Sequence, residues 1–176
     1  MTQIKLCGLS RLEDIEVVNK IKPDYIGFVF AKKSSRYISF DQAKGLKDTL
    51  DPTIKAVGVF VDEDIKVILN LFNDGIIDCA QLHGQEDNST IDQLKFMSQK
   101  TIIKAFKIEA REDVIKAEAS HADYILLDSS TGGTGTSFDW SLLSTFNRDY
   151  FLAGGLKVEN VANAIKTLHP YGVDVS

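Results

Sequence analysis

Cysteine is scarce in this chain of 176 residues: Cys7 and Cys79 are the only two, far apart and outside any CxxC context. That scarcity excludes a disulfide framework and a zinc cluster, and it points to a reducing, cytoplasmic compartment. The three prolines leave no room for a Pro-rich spacer, and no segment is of low complexity. Long hydrophobic runs are missing too, the longest falling far short of the roughly 18 to 20 residues of a membrane helix. Behind Met1 there is no basic segment, apolar stretch and small-residue cleavage site, so no secretion signal is expected. Positive charge is in deficit, with 20 Lys and Arg against 25 Asp and Glu and a net charge of -5. Such a field repels nucleic acid and anionic lipid, so a bound phosphate has to be held locally.

What the chain does contain is an alternation of short β-branched runs with amphipathic stretches, the pattern of a parallel sheet built from βα units. Strands are expected at Gln3 to Cys7, Tyr25 to Phe30, Ile54 to Val61, Ile77 to Leu82, Thr101 to Phe106, Tyr124 to Asp128, Tyr150 to Ala153 and Gly172 to Val175. Helices are expected at Leu12 to Ile21, Phe40 to Thr49, Glu63 to Phe72, Thr90 to Met97, Arg111 to Ala119, Trp140 to Thr145 and Val158 to Leu168. Eight strands in sequence favour closure over an open doubly wound sheet, so the expected fold is an α/β (β/α)8 TIM barrel forming one domain over residues 1–176. Length is the conflict, since such barrels typically run to about 250 residues. This one ends on its eighth strand, and the helix that would follow is missing.

In a barrel of this kind the residues at the C-terminal ends of strands become candidates for chemistry. Strand one ends in Lys5-Leu6-Cys7-Gly8; alternation puts Lys5 and Cys7 on one face and apolar Ile4 and Leu6 on the other, so Cys7 points inward. A thiol there can serve as a base if a cation or hydrogen bond favours its thiolate, the alternative being an inert buried cysteine. Strand six ends in Asp128, either a proton-transfer group or the cap of the following turn. The next segment carries Gly132, Gly133 and Gly135, a loop able to fold over a substrate; it lacks the Lys-Ser/Thr ending of a nucleotide-binding loop. Gly154 and Gly155 lie at a strand-to-helix turn, where backbone amides can approach a phosphate, with Asp174 and Ser176 of the last strand forming the other half of the cup. Arg36 suits bidentate capture of a carboxylate, and His83 follows strand four at the same rim, whereas Lys32 and Lys33 read as solvated. His121 and His169 are expected near the opposite rim as helix caps, and Cys79 in the core.

Six motifs, in order, resemble those of the phosphoribosylanthranilate isomerases: Lys5-Leu6-Cys7-Gly8, Gln81-Leu82-His83-Gly84, Leu127-Asp128-Ser129, Gly132-Gly133-Thr134-Gly135 with Phe138-Asp139-Trp140, Leu152-Ala153-Gly154-Gly155-Leu156 and Gly172-Val173-Asp174-Val175-Ser176. The resemblance runs from Ile4 to Ser176 and implies an Amadori rearrangement of N-(5-phosphoribosyl)anthranilate in tryptophan biosynthesis, with no metal or organic cofactor. It makes Asp128 the general acid at the ring oxygen and Cys7 the base at sugar C2, which demands a thiolate and a neutral carboxylic acid, the reverse of their usual order. It also implies Arg36 at the anthranilate carboxylate, His83 close to the substrate, and Gly154, Gly155 and the Ser176 region at the phosphate. A related aminoimidazole ribotide isomerase would use paired aspartates and two similar half-barrels, and here Cys7 replaces one carboxylate.

The family's last strand continues into a phosphate-facing turn and a final helix, and this chain stops before both. The expected consequences are an uncovered apolar face on strands one and eight that invites self-association, and a terminal carboxylate at Ser176 that repels phosphate. A truncated fragment with impaired or no turnover is therefore the alternative to an active isomerase.

Overall fold

A computed structural model describes residues 1–128, 140–143 and 146–176. Its eight strands are β1 (Gln3–Cys7), β2 (Tyr25–Val29), β3 (Lys55–Phe60), β4 (Cys79–Leu82), β5 (Thr101–Lys107), β6 (Tyr124–Asp128), β7 (Tyr150–Ala153) and β8 (Gly172–Val175). All pair in parallel in sequence order, and β8 returns to β1 with Lys5 opposite Asp174, closing the barrel. Between them run α1 (Leu12–Ile21), α2 (Phe40–Asp48), α3 (Ile65–Asn73), α4 (Asn88–Ser98), α5 (Arg111–Glu118) and α6 (Val161–Leu168). The expected barrel is the fold observed.

Several boundaries move for identifiable reasons. Asp64 and Asp87 cap α3 and α4 by accepting from the backbone amides of Lys66 and Thr90, so α3 starts after Glu63 and α4 before Thr90. The helix expected from Val158 begins only at Val161, because residues 158–160 form a turn. Trp140–Leu143 is a 3-10 turn within the helix expected from Trp140 to Thr145, whose last two residues lie outside the described residues. No helix among the described residues is long and apolar enough to cross a membrane.

The alternation of β1 sorts as its residues dictate. Ile4 is 46% exposed on the outside, whereas Lys5 is fully buried inside the barrel. Val175 at the end of β8 is also exposed, so the outer faces of β1 and β8 carry open apolar surface. Two apolar clusters follow from the topology. One fills the layer between sheet and helices, from Ile15 and Phe28 to Leu152 and Ala164. The other fills the barrel itself with Val57, Cys79, Ile103, Leu126 and Phe151. Tyr25, Tyr124 and Tyr171 pack around Phe151 at ring-centroid distances of 5.5, 5.9 and 5.3 Å, forming an aromatic floor. Gly172 opens β8 against that floor, and a Cβ there would come within 2.5 Å of the Phe151 ring.

Aspartates preceding alternate strands secure the N-terminal rim. Asp24, just before β2, accepts from the amide of Ile4 in β1 at 2.8 Å. Asp78, before β4, accepts from Ala56 of β3 at 2.8 Å and from Lys47 at 2.6 Å. Asp123, before β6, accepts from Ile102 of β5 at 2.8 Å and pairs with Lys95 at 2.6 Å. Each satisfies an amide donor near the start of a strand, a group that is costly to bury unpaired.

Gly172→Ala should destabilise the fold by about 1–3 kcal/mol through overpacking against Phe151. Urea unfolding of the variant checks this, and an unchanged midpoint would contradict the rigid floor.

Candidate active site

A cavity of about 420 Å³ opens at the C-terminal ends of the strands. Cys7, Arg36, His83, Asp128, Gly154, Gly155, Asp174 and Ser176, all expected at the site, line it together. The glycines Gly132, Gly133 and Gly135, expected to form a covering loop, lie outside the described residues. A cleft of comparable volume at the opposite rim is lined by Lys95, Phe96, Lys100 and Asp123, with Lys95 and Asp123 paired at 2.6 Å.

Cys7 ends β1 and is partly buried. Its neighbour in register on β2 is Gly27, where a Cβ would sit 2.6 Å from the thiol sulfur, so the glycine supplies the space the thiol occupies. The chain then turns at Gly8 with φ of 88°, a conformation that side chains resist. Arg36 lies across this turn, its Cδ 2.5 Å from where a Gly8 Cβ would be, and its Nη1 donates to the Cys7 carbonyl at 3.4 Å. Two glycines thus let a thiol and a guanidinium share one corner. Gly27 carried no signal in the sequence, because its role depends on pairing with a distant strand.

Below the thiol, Lys5 pairs with Asp174 at 2.9 Å, with side-chain exposures of 0% and 9%. Burial draws the Lys5 ammonium down, but the adjacent Asp174 and Cys7 outweigh it and hold its pKa above the ordinary lysine value. For Cys7 the balance falls the other way: burial pushes the thiol up, and the cations of Lys5 and Arg36 only partly pull it back. The site was expected to hold a thiolate; with its pKa raised, Cys7 is a neutral thiol at pH 7, because desolvation exceeds the neighbouring charge.

His83 follows β4 and places its Nε2 3.8 Å from Asp128 Oδ2. Burial draws its imidazole below the usual range, with Asp128 opposing and Lys104 assisting, so the ring is neutral at pH 7. The loop after it is pinned by a clamp not foreseen from the sequence: Lys104 donates to the Gly84 carbonyl at 2.7 Å and to Glu86 at 2.9 Å, while Glu86 accepts from Gly84 N at 2.9 Å. A lysine within the apolar run of β5 was the available signal. Gln81, one step down β4, is 1% exposed and places Nε2 3.5 Å from His83 Nδ1.

Gly154 and Gly155 both adopt positive φ, 80° and 63°. Asn160 fixes this turn by donating to the Gly155 carbonyl at 2.9 Å and accepting from Lys157 N at 2.7 Å. The turn faces the cavity as expected, but α6 starts six residues beyond Gly155, so the helix N-terminus does not follow the glycines directly. His169 forms the C-cap of α6, and His121 pairs with Asp92 at 3.0 Å, both away from the cavity. Cys79 is buried in the core, where desolvation pushes its thiol up to about 11.

Alkylation follows the thiolate, so a raised pKa carries a sign that can be read directly. Iodoacetamide should modify Cys7 in a Cys79→Ala background more slowly at pH 7 than it modifies free cysteine. The pH midpoint should lie above that of free cysteine, and a midpoint below it would contradict the burial argument.

The profile described as "N-(5'phosphoribosyl)anthranilate (PRA) isomerase" matches residues 4–176. An N-(5'-phosphoribosyl)anthranilate isomerase of Endomicrobium trichonymphae is 47% identical, over 100% of this chain and 88% of the relative. The crystal structure of phosphoribosyl anthranilate isomerase from Thermotoga maritima superposes with a TM-score of 0.89 at 36% identity, over 100% of this chain and 88% of that one. A further structure, of a phosphoribosyl anthranilate isomerase in complex with reduced 1-(o-carboxyphenylamino)-1-deoxyribulose 5-phosphate, has a TM-score of 0.88 at 35% identity, over 100% and 87%. This chain belongs to the N-(5'-phosphoribosyl)anthranilate isomerase family, the isomerases of tryptophan biosynthesis whose motifs it carries in order.

Proposed function

We propose that this chain converts N-(5-phosphoribosyl)anthranilate to 1-(2-carboxyphenylamino)-1-deoxyribulose 5-phosphate with Cys7 as general base and Asp128 as general acid. The observation that carries the assignment is that a thiol and a carboxyl group from β1 and β6 line one cavity, beside a guanidinium and a neutral imidazole. Asp128 gives its proton to the ring oxygen, and the furanose opens to a Schiff base. Cys7 then removes the proton from sugar C2, and the resulting enolamine tautomerises to the ketone. One proton on Asp128 and none on Cys7 is the state that starts this sequence. Displacement of water from the cavity by the bound substrate changes the balance that holds the Cys7 proton.

Arg36 grips the anthranilate carboxylate, since its planar guanidinium is held over the Gly8 turn at the cavity wall and suits bidentate pairing. His83 supports Asp128 as a neutral neighbour. The turn at Gly154 and Gly155 forms the phosphate side of the cavity, with Asp174 and Ser176 on the adjoining wall. The same reading takes residues 1–176 as one domain acting in the cytoplasm without a cofactor. Exposed Ile4 and Val175 on the outer faces of β1 and β8 support self-association through that side.

Anthranilate derivatives fluoresce, which makes turnover visible. Purified protein should quench substrate fluorescence, and Cys7→Ser and Asp128→Asn should each slow that reaction by roughly 10²–10⁴-fold. Wild-type rates in both variants would remove the assignment. Arg36→Met should act mainly on KM, raising it by about tenfold or more as a charge-assisted carboxylate contact is lost; steady-state kinetics that show a change in kcat alone would contradict this.

A further inference from the structure

Gln81 stands out among the side chains of the barrel interior. It is 1% exposed, and its Oε1 has no hydrogen-bond partner among the described residues. A buried acceptor left in that condition is costly, and sheets rarely retain one without a use for it. The register explains why the fold cannot satisfy it. Gln81 stands opposite Val59 on β3 and Ile103 on β5, neither of which has a side-chain donor. The other end of the amide is held, with Nε2 3.5 Å from His83 Nδ1, and Gln81 lines the cavity that also contains Cys7 and Asp128. Reversing the amide does not remove the problem, since one of its two polar atoms remains unpaired either way.

We propose that Gln81 is a substrate-binding residue whose side-chain oxygen accepts a hydrogen bond from a hydroxyl of the sugar. This rests on the reaction proposed above and adds a specificity contact to it. Nε2 of Gln81, by facing Nδ1 of His83, selects the tautomer that carries its proton on Nε2, toward Asp128. A single amide therefore reads the sugar at one end and orients the imidazole at the other. The unpaired oxygen makes the site discriminating, because a ligand without the hydroxyl leaves the acceptor buried and unsatisfied.

The test is Gln81→Met, which keeps volume and removes both polar atoms, in the full chain. Its kcat/KM in the fluorescence assay should fall roughly tenfold to hundredfold, while the thermal midpoint rises by about 2 to 4 °C as a buried unsatisfied group disappears. The loss should persist when the substitution is repeated in a His83→Ala background, which separates contact with the sugar from an effect relayed through the imidazole. An unchanged kcat/KM, a fall in the midpoint together with activity, or no further loss in the His83→Ala background would each overturn the assignment. Gln81→Leu reads the same way should methionine pack poorly. A wild-type protein that does not turn over the substrate would defeat the proposed function as well, whereas an active wild type with an unimpaired variant defeats the Gln81 contact alone.

Discussion

The ion pair between Lys5 and Asp174 joins the first strand to the last, and both the architecture and the chemistry depend on it. Barrel closure requires β1 to meet β8 across nearly the whole length of the chain, and this pair sits in register at that seam. Two charges this deeply buried are expensive, so removing either one would leave the other uncompensated in an apolar interior. Their geometry fixes how far β8 slides along β1. It thereby fixes where Ser176 and the glycine turn of the neighbouring strand stand relative to Cys7. The same pair acts on the thiol, since the Lys5 cation opposes the rise that burial imposes on Cys7.

That arrangement sets an electrostatic balance rather than a fixed ionisation state. Burial holds the Cys7 proton in place, while Lys5 and Arg36 limit how tightly it is held. A neutral thiol is poorly reactive and resists oxidation, which suits a cysteine with no disulfide partner. Burial likewise keeps the imidazole of His83 neutral, 3.8 Å from Asp128. The cavity thus presents a neutral thiol from β1 and a neutral imidazole after β4.

Most of this architecture was legible in the sequence, and the reason is physical. Alternation along Ile4, Lys5, Leu6 and Cys7 dictates which face each residue takes, and apolar runs ending in Asp128 or Ala153 announce strands that deliver polar groups to one rim. Relations set by register could not be read this way. Lys5 was placed inside, but its partner Asp174 lies on a strand that only closure brings near. Gly27 looks like any strand glycine until Cys7 is laid opposite it, and Lys104 looks misplaced until Gly84 and Glu86 fold over it. The start of α6 was misread because Asn160 acts through the preceding turn, binding Gly155 and Lys157, rather than through the helix it precedes. The thiolate was expected because a reaction scheme demands one, and a scheme does not reveal how much water the resting site excludes.

The three rim aspartates have a bearing on how such a molecule can change over time. Asp24, Asp78 and Asp123 each fasten a strand to its predecessor, joining β1 with β2, β3 with β4 and β5 with β6. Each latch closes over one strand and the helix after it, a short stretch of chain that can be fastened early and locally. None of the latches reaches the rim where Cys7 and Asp128 line the cavity. Insertions or replacements in the upper loops therefore leave these fastenings intact, so new reactivity can be tried on one end of the barrel without loosening the joints at the other.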